Sequence, residues 1–243
     1  MKKTVQTKIF AMALTGAMLL SLAACGAGKG MSTEEASECV QVELDTTYKG
    51  QFQGFVDFYS NVTTDDAKSQ YDANVEGEAY AFLYGLGPQA LDDSGDSVEP
   101  TEMQLHEVKE LYKKIYAKAD YTVVSSTKQD DGTFAVKVTI RPLDILHLVS
   151  DGIEEGFAGF WEKFEAVDTE SMSDEEFESW YVDPFAKEYY DTALDLLESK
   201  IDEMGYMDEK SIVIQVQQSE DGSLYFSDED WVNLDNLIID YNF

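Results

Sequence analysis

Along most of the chain, apolar residues return every three or four positions, and in two places they alternate with polar ones. Tyr48, Phe52, Phe55, Val56 and Tyr59 predict a helix from about 46 to 60, preceded by a short alternating strand, Val40-Gln-Val42-Glu-Leu44. Thr63 or Thr64, followed by Asp65 and Asp66, caps a second helix carrying Ala67, Tyr71, Val75, Ala79, Phe82, Leu83 and Leu86 on one face. Thr101-x-x-Gln104 is a capping box opening a third, with Leu105, Val108, Leu111, Tyr112, Ile115 and Ala119 as its stripe. The period then changes to two. Phe134, Val136, Val138 and Ile140 alternate with polar residues after the turn signal Asp130-Asp131-Gly132, which predicts a β-hairpin. Pro142 ends it, Asp144 is placed to cap, and Ile145 to Phe164 reads as one long core helix. Ser173-x-x-Glu176 caps a short helix through Trp180, and Asp183-Pro184 starts another that Gly205 stops. A second hairpin follows, with Ile212, Ile214 and Val216 leading into Glu220-Asp221-Gly222 and Leu224 to Phe226 leading out. Ser227 then caps a last short helix.

Runs of helices closed by hairpins predict an α+β fold, with helices packed on one face of a small antiparallel sheet. Asp131-Gly132 and Asp221-Gly222 align with a helix before each hairpin, so the domain divides into two helix-helix-hairpin halves, 46–141 and 144–243, if the repeat is real. Helices wrapped on a curved antiparallel sheet also resemble the cone-shaped fold of nuclear-transport-factor-two-like and cystatin-like domains. That resemblance rests on element order and implies a pocket inside the cone.

The first 24 residues follow a different logic. Lys2, Lys3 and Lys8 precede an apolar core from Ile9 to Leu22, and no acid occurs before Glu34. This is the order of a secretory signal, shorter than a spanning helix. Leu22-Ala23-Ala24-Cys25 followed by Gly26 resembles the lipobox of bacterial lipoproteins. The resemblance implies cleavage before Cys25, acylation of Cys25 by diacylglycerol and palmitate-type chains, and tethering to the outer face of the cell membrane. Two or three acyl chains anchor durably, at about 0.8 kcal/mol per buried methylene. Residues 25–37 then read as lipidated terminus and leash, and 38–243 as the domain. As a whole the chain resembles acidic, tyrosine-rich α+β lipoproteins of Firmicutes, a likeness that brings no catalytic residues with it.

Charge narrows the partners. The chain carries 17 basic and 49 acidic residues. Removing the three lysines before Cys25 leaves 14 − 49 = −35 for the mature part. Nucleic acid is excluded as a partner, since phosphate binding needs clustered Lys and Arg. The acidity reads as a solvated face or as an attraction for cations and basic ligands. At 44% apolar and 12% aromatic, the chain has ample material for a core. With Cys25 acylated, Cys39 has no cysteine to pair with, and it reads as a free thiol.

Candidate chemistry is sparse. His106 and His147 stand alone on separate helices, so a His-x-x-x-His zinc pair is absent. No Gly-x-Ser-x-Gly elbow occurs, and Asp92 to Pro100 is oxygen-rich but lacks the glycine spacing of a calcium loop. No metal, cofactor or catalytic residue is therefore assigned. Arg141, the only arginine, stands at a strand end and would grip a carboxylate ligand, with an ion pair to nearby acids as the plainer reading. Phe157 and Trp161 beside Gly152, Gly156 and Gly159 would frame a ligand, with close helix packing as the plainer reading. The expected function is a lipid-anchored extracytoplasmic domain binding a ligand, wall component or protein partner. The alternative is a carboxylate-using enzyme acting on carbohydrate or cell-wall material in a cone-shaped pocket.

Overall fold

The computed structural model describes residues 22–23, 30–88, 98–219 and 223–241. Cys25, most of the Asp92 to Pro100 loop and the Glu220-Asp221-Gly222 turn lie outside them. The helices are α1 (Thr33–Lys49), α2 (Phe52–Phe58), α3 (Thr64–Leu86), α4 (Glu102–Tyr116), α5 (Ile145–Gly156), α6 (Ala158–Phe164), α7 (Asp174–Trp180), α8 (Lys187–Ile201) and α9 (Asp228–Ile238). The strands are β1 (Leu22–Ala23), β2 (Asp120–Lys128), β3 (Phe134–Arg141), β4 (Lys210–Gln218) and β5 (Ser223–Phe226).

Both hairpins join one antiparallel sheet in the order β1-β5-β4-β3-β2, with Val136 opposite Ile214 at the seam between them. On β3 the pleat turns Phe134, Val136, Val138 and Ile140 inward, all buried. The helices α1 and α9 pack against the sheet, so the fold is α+β as the alternation requires. The outer strand β2 carries Thr122, Ser125, Ser126 and Thr127, and a bulge between Val123 and Ser125 leaves Val124 exposed. Such irregularity blunts an edge that would otherwise template further pairing.

Several boundaries differ from the sequence reading, each for a local reason. Val40 to Leu44 is helical, because Ala36, Cys39, Val40, Leu44 and Tyr48 bury one helical face and Ser32-x-x-Glu35 closes a capping box at its start. That helix begins inside the stretch read as leash. Gly50, in the left-handed region at φ 61°, ends it and separates α1 from α2, so the single helix expected over 46–60 is two. The expected helix from Ile145 to Phe164 is likewise interrupted at Phe157. Asp144 precedes α5 without capping it by its side chain; its carboxylate instead accepts from the Gly205 amide at 2.8 Å. Asp183 is non-helical, and α8 starts at Lys187 rather than at Pro184. The boxes at Thr101 and Ser173 stand as read, and Gln104 also reaches the Lys187 carbonyl, tying α4 to α8.

Among the described residues no helix is long and apolar enough to cross a membrane.

Candidate functional site

Helices α1 and α3 lie side by side, and their facing surfaces are not wholly apolar. On α1, Cys39, Glu43 and Thr47 follow one another by single turns; on α3, Gln70, Asn74 and Glu78 do the same. The two rows form a polar seam through the core. At one end the Tyr59 hydroxyl lies 3.1 Å from Cys39 Sγ and donates to Glu43 Oε1 at 2.7 Å, while Gln70 Nε2 reaches Glu43 Oε2 at 3.4 Å. Midway, Asn74 Nδ2 donates to the Thr47 carbonyl at 3.2 Å. Burial holds Glu43 at about 7, against the hydrogen bonds from Tyr59 and Gln70 that favour its charged form.

The other end gathers residues from four helices. Tyr48 comes from α1, Glu78 from α3, Tyr112 and Tyr116 from α4, and Asp235 from α9, with Tyr241 just beyond it. Tyr48 donates to Asp235 Oδ1 at 2.7 Å, and Tyr241 donates to Glu78 Oε2 at 2.5 Å. Tyr48, Tyr112 and Tyr116 form a buried floor, with Tyr116 edge-on to Tyr48 at 5.3 Å and to Tyr112 at 6.0 Å. Glu78, Asp235 and Tyr241 are half-buried beside them.

Two features of this end call for a partner. Burial pushes both carboxyls above their ordinary range, the Asp235 charge pushes Glu78 further, and neither has an ion pair to Lys or Arg among the described residues. The Tyr112 hydroxyl, within electrostatic reach of Glu78 and Tyr241, is buried with no hydrogen-bond partner among the described residues. An unmade bond at a buried hydroxyl costs about 1–3 kcal/mol. Two carboxyls that raise one another's proton affinity, beside a hydroxyl whose oxygen is free to accept, describe a place where a positive group that donates hydrogen bonds would be stabilised. Tyrosine faces around carboxylates suit an organic ammonium, through cation–π attraction and charge-assisted hydrogen bonds.

The residues singled out from sequence lie elsewhere. Phe157 and Trp161 share an aromatic cluster with Phe160, Phe185 and Tyr189, with ring centroids 6.5 Å apart between Phe157 and Trp161. Phe157 is buried, whereas Trp161 is 37% exposed. Of the glycines beside them, Gly152 and Gly156 serve packing, a Cβ at Gly156 standing 3.0 Å from Leu196 Cδ1 on α8, whereas one at Gly159 would meet nothing within 4 Å. Arg141 ion-pairs with Asp120 at 3.2 Å and lies over the Tyr206 ring at 4.4 Å. His106 is exposed on α4, and His147 Nε2 lies 3.5 Å from Asp240. Cys39 is buried, and burial pushes its thiol up. No group of three or more metal-ligating side chains occurs among the described residues. The Glu78–Asp235 pair escaped the sequence reading because its members stand far apart in the chain. The available signal was a glutamate one residue off the apolar stripe of α3, in a chain with 14 tyrosines.

No protein-family model and no curated protein matches the chain. Among solved structures, the fold is similar to the crystal structure of a candidate lipoprotein (ycdA) from Bacillus subtilis subsp. subtilis str. 168, with a TM-score of 0.51 and 14% identity. The match covers 84% of this chain and 55% of that one, so the chain spans about half the length of its neighbour. At that identity the likeness shows the fold.

Proposed function

We propose that this chain is a lipid-anchored extracytoplasmic domain, held at the outer face of the bacterial membrane through Cys25, that captures a ligand carrying an organic ammonium group between Glu78 and Asp235. The observation that carries the reading is the half-buried carboxyl pair without a basic partner among the described residues, near the buried Tyr112 hydroxyl, which has no hydrogen-bond partner among them. The lipobox supplies the anchor, and the candidate-lipoprotein character of the structural neighbour is consistent with it. The surplus of acid over the whole chain raises the local concentration of cations around it. A carboxylate-using enzyme would need the same pair beside a sugar-stacking ring. Trp161 and Trp180 instead join a separate aromatic cluster, which favours binding over hydrolysis.

Titration calorimetry with n-butylammonium at pH 8 tests the reading, with potassium chloride at equal ionic strength as control. Binding is expected for the ammonium and not for potassium. Glu78→Gln with Asp235→Asn should weaken it at least 100-fold, about 2.7 kcal/mol. Tyr112→Phe, which keeps the ring, should weaken it about threefold to tenfold. Absence of binding to the wild-type chain at 10 mM ammonium, or binding indifferent to the double substitution, sinks the reading.

A further inference from the structure

A different part of the molecule leaves its apolar face half covered. Helix α7 buries no residue completely, although it carries Phe177 and Trp180, and the turn that follows contributes Tyr181, exposed Val182 and Phe185. These rings contact one another: Tyr181 stacks on Phe185 at 5.2 Å, Trp180 lies 5.2 Å from Phe185 and 5.7 Å from Phe177, and Trp161 stands 6.5 Å from Phe185. Their inner side rests on buried Phe160 and Phe164. Their outer side is open, with Trp161 at 37% and Val182 at 46% exposure.

The rim of this face has one sign. Between Phe157 and Tyr189 the sequence holds ten acids and two lysines, Lys163 and Lys187. Both lysines are engaged, Lys163 with Glu188 and Lys187 with Asp191, the latter at 3.3 Å. Glu162, Glu165 and Glu178 stand exposed around the rings, without an ion pair among the described residues.

We propose that the face formed by Trp161, Phe177, Trp180, Tyr181, Val182 and Phe185 docks a basic amphipathic segment of a partner polypeptide, apolar side chains on the rings and lysines or arginines on the acidic rim. Charge complementarity selects this occupant. An anionic lipid surface would be repelled by the rim. A second copy of the chain would bring the same negative charge to it. A basic amphipathic helix matches both the apolar centre and the acidic rim, the arrangement of helix-in-groove recognition. Aromatic anchors at the centre with charged groups around them are also the usual composition of strong interface contacts. The site is separate from the Glu78–Asp235 pair, so either reading stands if the other fails.

The test uses the full chain and a synthetic 14-residue helical peptide of leucine and lysine, followed by tryptophan emission and by calorimetry. Binding in the micromolar range is expected, with a blue shift in emission and at least tenfold weakening between 50 and 500 mM salt. The rim triple Glu162→Gln, Glu165→Gln and Glu178→Gln should weaken binding tenfold or more. Val182→Lys, at an exposed position that tolerates the change, should do the same. A control triple away from the face, Glu107→Gln, Asp208→Asn and Glu209→Gln, should stay within twofold. Equal loss in the control triple, or no binding by the wild-type chain at 100 μM peptide, overturns the proposal. So does a chitooligosaccharide that quenches the same tryptophans and displaces the peptide, since it would make the face a carbohydrate site.

Discussion

Glu43 is buried among Tyr59, Gln70 and Cys39, and its environment makes it an acid that titrates late. Its folded value of about 7 stands above the unfolded value near 4.5. Between those two pH values the folded chain keeps a proton that the unfolded chain has released. Stability therefore falls as pH rises through that window, by up to about 3 kcal/mol from this residue. Glu43→Gln keeps an acceptor for Tyr59 and removes the titration. Urea denaturation should find the variant near parity with wild type at pH 4.5 and more stable by about 2–3 kcal/mol at pH 8. A wild-type stability that does not change between pH 5 and 8 would contradict the burial of this charge. Glu78 and Asp235 are pushed in the same direction by burial, so their ionisation adds to the same alkaline loss.

Single elements carry their own tests. Gly132 sits in the β2–β3 turn at φ 89° with nothing within 4 Å of where a Cβ would be, so only backbone strain opposes substitution there. Gly132→Val should cost about 1–2 kcal/mol and lower the melting temperature by several degrees. An unchanged melting temperature would argue against that turn. At Gly87 the backbone is unstrained but the space is filled: a Cβ would meet the Tyr190 hydroxyl at 2.7 Å and the Leu83 carbonyl at 2.8 Å. Gly87→Ala should cost about 1–3 kcal/mol by overpacking and displace Tyr190 from its bond to the Val98 carbonyl, read by near-ultraviolet circular dichroism and thermal melting. These elements also show how far local sequence speaks. The boxes at Thr101 and Ser173 and the alternation of β3 were legible because short-range hydrogen bonds and a period of two dictate them. The strand expected at Val40 was not, because Val40 and Leu44, one helical turn apart, also fit the stripe of α1 while Val42 packs toward Gly54 of α2, and the Ser32 box lay in a stretch whose small polar composition reads as linker. At Phe157 the apolar stripe ran on while the helix stopped, since periodicity reports which face is buried and not whether the backbone continues.

At the scale of the molecule, the two hairpins do form one sheet, and helices do cover its apolar face, as the order of periods implied. The carboxyl pair was beyond reach of the same reasoning, because Glu78 and Asp235 meet only through the packing of α1, α3, α4 and α9. The anchor belongs to this scale too. Replacing Cys25 with alanine should release the protein from membranes and abolish labelling by a palmitate analogue. A wild-type chain that stays membrane-bound without label would overturn the lipoprotein reading. The sheet adds a question of timing to that maturation. Leu22 and Ala23 pair with Leu224 and Ser223 at the outer edge of β5, while the proposed cut falls one residue further on, after Ala24. On the proposed lipoprotein reading, the enzyme that cuts before Cys25 and the edge of β5 would draw on the same extended backbone.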